Sequence, residues 1–194
     1  MNPFFIFREP FKEICHCYTQ SEKPTVIASL AALDGRKGLV IAPFFNDDNN
    51  AIYLLDGQDS TSTTLPLDGS KGFDAIPDWQ DDFSFSIETT SPREGYHNAF
   101  TRFHKHLEHN TFQKLVLARS IIEQKDEKTS PRNIFLNACK KYPHSYIALF
   151  FTEETGMWLI ASPEILLNGN ADGYQTMALA GTMKYEGEDM RWSA

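Results

Sequence analysis

The sequence predicts an α+β fold, an antiparallel β-sheet sandwich with flanking helices, on three observations. Its apolar residues fall in many short runs separated by Gly, Asp, Asn and Ser/Thr clusters, the punctuation of strands and turns. Two longer stretches carry helical spacing and open on Ser-Pro. The runs near the end are joined by short turns, the pattern of antiparallel hairpins rather than of a parallel doubly wound sheet.

Residues 25–33 read as a strand, Asp34-Gly35-Arg36-Lys37-Gly38 as a turn and 39–45 as the hairpin partner. The polar cluster 46–50 ends that partner, and 51–55 resume an apolar run, a third strand, before the Ser/Thr-rich stretch 60–64. From 69 to 82 the chain mixes Gly, Pro and Asp with isolated aromatics, which reads as a loop over the sheet. Ser91-Pro92-Arg93-Glu94 is a capping box with Pro at the first helical position. Behind it Tyr96, Phe100, Phe103 and Leu107 predict one buried stripe on a helix that ends near Asn110. Residues 112–123, FQKLVLARSIIE, are β-branched and aliphatic without Gly or Pro, and predict a strand. Ser130-Pro131 opens a second helix with Ile134, Phe135, Ala138 and Tyr142 on its apolar side, closed by Pro143. Residues 146–151 and 157–161, joined at Glu153-Glu154-Thr155-Gly156, predict a hairpin that Ser162-Pro163 breaks. Asn168-Gly169-Asn170 and Asp172-Gly173 turn the chain into a last strand over 174–180.

Composition narrows the functional classes. With 41% hydrophobic and 13% aromatic residues the chain can bury a core, and is not a disordered polymer. A net charge of -8 without a Lys/Arg run lacks the footprint of a protein that tracks nucleic acid. MNPFFIFREP holds only a four-residue apolar patch with no basic region before it, so it does not read as a secretion signal. The longest apolar run, 146–151, is too short to cross a bilayer. Three cysteines without framework spacing read as ordinary thiols in a reducing cytoplasm.

Three positions stand out chemically. Lys114 is a lone ammonium near the start of an apolar strand, where a lysine snorkelling from the strand end to water is the competing account. Glu164 places a carboxylate at a bend between apolar segments, where a solvated turn residue explains it as well. Ala180-Gly181-Thr182 sets a glycine open to close approach beside a hydroxyl, although an ordinary turn has the same composition. Cys15-His16-Cys17 lacks the gap and the second ligand pair of a structural zinc site. His97, His104, His106 and His109 lie mostly off the apolar stripe and read as solvated surface residues. There is no GxGxxG or GxxxxGKS loop to cradle a nucleotide.

In order, FQKLVLARS at 112–120, ASPEILL at 161–167 and LAGT at 179–182 resemble successive signatures of the chorismate-utilising enzymes, over roughly the last eighty residues. The resemblance implies part of the fold of anthranilate synthase component I. It makes 1–194 the N-terminal portion of a single chorismate-binding domain, with 1–90 a variable β-rich part and 91–194 the motif-bearing part. Within that family, water-adding members carry Lys where amine-adding synthases typically carry Gln, since ammonia needs no base. The expected activity is therefore that of an isochorismate synthase in menaquinone or siderophore biosynthesis, with chorismate as the small-molecule substrate. By resemblance, Lys114 deprotonates the water that attacks C2 and Glu164 protonates the departing C4 hydroxyl. Gly181 and Thr182 lie along the substrate, and Arg119 is structural. The chemistry asks for a neutral lysine and a protonated carboxyl, which desolvation favours in both. The two groups are expected on opposite sides of the ring, because direct contact would favour the charged pair. A salicylate synthase shares this base and acid, and a non-catalytic binding module would keep the fold without the metal site.

Family members continue for well over a hundred residues past LAGT. The expectation is thus a truncated gene product or one piece of a split enzyme, inactive alone and prone to self-association or to pairing with its missing half. The family's cofactor is Mg²⁺, whose ligands are expected in that missing part. Glu186, Glu188 and Asp189, the late acids here, sit in a Gly-containing polar segment that reads as a solvated turn.

Overall fold

The structure, a computed structural model, describes residues 2–44, 51–56, 61–67, 92–118 and 130–177. They fall into two units, one drawn from Met1–Asp78 with Pro131–Ala194 and the other from Trp79–Ser130.

The larger unit is built on a five-stranded antiparallel sheet. Its strands are β1 (Phe4–Arg8), β2 (Ile14–Thr19), β6 (Thr61–Pro66), β7 (Tyr146–Thr152) and β8 (Gly156–Ser162), in the order β6-β2-β1-β7-β8. The central strand is FFIFR, the short apolar patch of the N-terminus that does not read as a secretion signal. It pairs Phe5 with Tyr18 on one side and with Phe150 on the other. Strand alternation sends Phe5 and Phe7 to one face and Phe4, Ile6 and Arg8 to the other. On the first face the Phe5 ring stacks on Tyr18 at 4.6 Å, and Phe5 and Phe150 pack with Leu55, Leu39 and Ile41.

Those last three residues belong to a second antiparallel sheet, made of β3 (Thr25–Ile27), β4 (Leu39–Ile41) and β5 (Ile52–Leu55). Sheet therefore lies on sheet, in keeping with the sandwich expected. The predicted hairpin of β3 with β4 is not formed: both pair with β5, in the order β3-β5-β4. The run 25–33 is split, because Leu30–Leu33 turns into a 3₁₀ helix. Ala and Leu favour helical backbone, so LAAL leaves the strand early. IYLL takes the centre, with Ile52, Leu54 and Leu55 all buried.

The second face of the five-stranded sheet carries α2 (Pro131–Lys141), which buries Phe135, Ala138 and Cys139. Its apolar side is rotated from the expected one, since Ile134 and Tyr142 are exposed and Cys139 is buried. The β7–β8 hairpin forms as predicted, with Thr152 opposite Gly156, and β8 ends at Ser162. β9 (Asn168–Asn170) and β10 (Gly173–Gln175) make a small separate hairpin. Asn168-Gly169-Asn170 is strand rather than turn, and the turn falls at Ala171-Asp172, where the Asp172 amide donates to the Asn170 side chain at 2.8 Å. The predicted 174–180 strand lasts only to Gln175 among the described residues.

The smaller unit contains α1 (Pro92–Glu108). Its capping Ser91 lies outside the described residues. At the other end Asn110 takes φ 54°, and the amides of Asn110 and Thr111 donate to the carbonyls of Leu107 and His106. This is a Schellman closure, in which the αL residue satisfies the last carbonyls. The apolar stripe is present but not buried: Tyr96 and Phe100 are exposed, and Phe103 and Leu107 half-buried. Residues 112–118, expected as strand, hold no regular structure. Strand propensity is realised only against a ladder partner, and no described strand pairs with this segment. No described helix is long and apolar enough to cross a membrane.

Candidate active site

Lys114 is placed by the end of α1. The Schellman closure at Asn110 reverses the chain, and Phe112 then meets the helix edge-on, its ring 5.9 Å from that of His106. Phe112 and Leu115, on either side of Lys114, line an open hollow of about 300 Å³ with Ala99, Arg102, Phe103 and His106 of α1. Lys114 itself is exposed, so the described residues do not supply the burial that a neutral lysine requires.

Glu164 is placed by the end of β8. Pro163 cannot donate to a ladder, and the Ser162 hydroxyl takes over the local bonding. It donates to the Glu164 carbonyl at 3.0 Å and accepts from the Glu164 amide at 3.4 Å. The bend is thus a fixed hydroxyl turn rather than a loose one. Glu164 is half-buried. Just beyond it, the Met177 amide donates to the Ile165 carbonyl at 3.1 Å and the Thr176 hydroxyl to the Leu166 carbonyl at 2.6 Å. Thr176 and Met177, just past β10, are therefore tied beside the Glu164 turn.

Lys114 belongs to the smaller unit and Glu164 to the larger, and each is positioned within its own unit. Gly181, Thr182 and Arg119 lie outside the described residues, as do Glu186, Glu188 and Asp189. Among the described residues no three His, Cys, Asp or Glu side chains stand close enough together to hold a metal ion. The Mg²⁺ implied by the resemblance finds no ligand set among them. Of the α1 histidines, His104 faces Glu108 at 3.3 Å and His109 Nδ1 donates to the Lys105 carbonyl at 2.5 Å, both surface contacts. His106 is exposed, as the sequence suggested, and with Arg102 it lines the hollow. Their spacing of four along α1 was the available signal.

The sequence matches the family described as chorismate binding enzyme over residues 63–191, about two thirds of the chain. No curated protein and no solved structure matches it. The match starts inside β6, well before the first of the three motifs. On this match the chain belongs to the chorismate-binding enzyme family.

Proposed function

We propose that the reaction is the reversible conversion of chorismate to isochorismate, by addition of water at C2 and loss of the C4 hydroxyl. The observation that carries this reading is the identity of residue 114, a lysine within QKLVLAR where an amine-adding enzyme has no use for a base. Lys114 takes a proton from the attacking water, and Glu164 gives one to the departing hydroxyl as the ring double bonds shift. Gly181 and Thr182 contribute backbone and hydroxyl contacts to the bound ring. The exposed ammonium of Lys114 and the half-buried Glu164 turn both need drier surroundings for this chemistry, which bound substrate would supply in part.

The test is product analysis of the protein with chorismate and Mg²⁺ in ¹⁸O-labelled water, with and without an ammonium salt. Isochorismate carrying one labelled oxygen is the expected product. An aminated product formed only with ammonium would overturn the reading, and salicylate would move it to an enzyme that also eliminates pyruvate.

A further inference from the structure

All three cysteines of the chain are buried between one face of the five-stranded sheet and α2, Cys15 and Cys17 on the sheet and Cys139 on the helix. The β1–β2 register pairs Phe7 with His16 and Ile6 with Cys17, so Cys15 stands across from Arg8 and on the same face as Cys17. From the helix, Cys139 is buried against the same face, its carbonyl 3.4 Å from the Arg8 guanidinium and its thiol neighbouring that of Cys15. Arg8 is only 1% exposed. Its hydrogen bonds run to the carbonyls of Glu9, Cys139, Tyr142 and Pro143, and none of them to a carboxylate. Among the described residues no carboxylate pairs with this buried guanidinium, a costly arrangement, and its Nε finds no hydrogen-bond partner among them. A thiolate on Cys139 is the anion within reach.

We infer that Cys15 and Cys139 form an oxidation-sensitive dithiol, which a hydroperoxide converts to a disulfide that staples α2 to β2. The thiolate of Cys139 attacks one peroxide oxygen, and the O–O bond breaks to give a sulfenic acid and hydroxide, which takes up the proton released by Cys139. The Cys15 sulfur then attacks the Cys139 sulfur, the S–S bond forms, and the sulfenic hydroxyl leaves with the Cys15 proton as water. Two thiols lose two electrons, and one hydrogen peroxide becomes two waters.

The two sulfurs have different roles because their surroundings differ. The hydrogen bond from Cys15, with Arg8 adding to it, holds Cys139 below the ordinary thiol range, whereas that same bond, reinforced by burial, drives Cys15 well above it. Burial pushes Cys17 up to about 11 and nothing offsets it, so Cys17 stays a thiol although it is two residues from Cys15. Because both reacting sulfurs are buried, the oxidant has to be of about the size of water, which selects hydrogen peroxide over a bulky disulfide.

The experiment is oxidation of the folded chain by hydrogen peroxide, followed by alkylation of free thiols, proteolysis and mass spectrometry. The expected result is a Cys15–Cys139 cross-linked peptide with Cys17 alkylated. The same cross-link should form in Cys17→Ser and disappear in Cys139→Ser, with folding of each variant checked by circular dichroism. Chain unfolded in urea should give mixed pairings, which would show that the fold directs the choice. A Cys15–Cys17 link, intermolecular links as the main product, or three unmodified thiols at a peroxide dose that oxidises the unfolded chain would each overturn the proposal.

Discussion

The guanidinium of Arg8 donates to the Pro143 carbonyl at 2.6 Å, joining the middle strand of the five-stranded sheet to the chain just past the end of α2. It also donates to the Tyr142 carbonyl at 2.7 Å and reaches the Cys139 carbonyl at 3.4 Å. A helix leaves its last carbonyls without partners in its own ladder. Here a strand side chain supplies the donors, its positive charge set at the negative end of the helix dipole.

Arg8→Met should therefore weaken the larger unit by about 3 kcal/mol, since each buried carbonyl left unpaired costs roughly 1–3 kcal/mol. Arg8→Lys keeps the charge but not the fork, and should recover only part of the loss. Urea unfolding of the three proteins measures both differences. Equal stability of all three would show that the bonds at the helix end contribute nothing.

Gly38 sets up a second stability test. Its φ is +143°, and a Cβ there would collide with the Leu55 carbonyl oxygen of the neighbouring strand. Because the obstacle is backbone, Gly38→Ala should cost at least about 2 kcal/mol. Gly35 has φ +70° but open space around it, so Gly35→Ala bears the conformational cost alone, about 1 kcal/mol. Comparable melting temperatures for the two variants would mean that the strand beside Leu55 yields easily.

The parts of this fold that could be read from sequence are those whose contacts are local. The β7–β8 turn, the opening of α2 at Pro131 and the break at Pro163 follow from residues next to one another. Partner choice is not local. The Asp34-Gly35 turn suggested that β3 and β4 pair together, yet the strand between them is IYLL, which buries more apolar surface than either. FFIFR is too short to signal that it will be the centre of a sheet, and the lone arginine in it gave no hint of its helix-capping role. For the candidate site, motif order located Lys114 and Glu164. It carried no information on their exposure, which depends on what packs over them.

If the proposed reaction holds, Lys114→Gln should leave the fold intact, because the side chain is exposed, and lower water addition at least about a hundredfold. Glu164→Gln should do the same in both directions, since the acid of the forward reaction is the base of the reverse. Circular dichroism with initial rates in each direction provides the check. Turnover within about tenfold of the parent would remove the residue concerned from the proton-transfer step.

Among the described residues, strand β8 lies at one edge of its sheet with Trp158, Leu159 and Ile160 exposed, so apolar side chains reach solvent on both of its faces. An open edge with apolar flanks is a template for pairing. The chain should self-associate as its concentration rises, and Ile160→Lys should suppress this without changing the far-ultraviolet spectrum. Light scattering across a dilution series decides the matter. A monomer at every concentration would rule out association through this edge.

Tyr146 should make the larger unit sensitive to alkali. It opens β7 with its ring stacked on Phe7 at 5.6 Å, and burial, reinforced by the nearby Glu9 and Tyr18, pushes its phenol up to about 12. The unfolded chain releases the same proton near the ordinary value of about 10. Between these values the folded state holds more protons than the unfolded one, so stability falls as pH rises. The contribution is fully present below about pH 10 and is lost as pH passes through about 12. Tyr146→Phe has no proton to lose, so its stability should decline less steeply over that window. Urea midpoints measured across the alkaline range for both proteins, with phenolate absorbance followed in parallel, test the difference. Parallel pH profiles would show that the Tyr146 phenol titrates alike in the folded and unfolded chain.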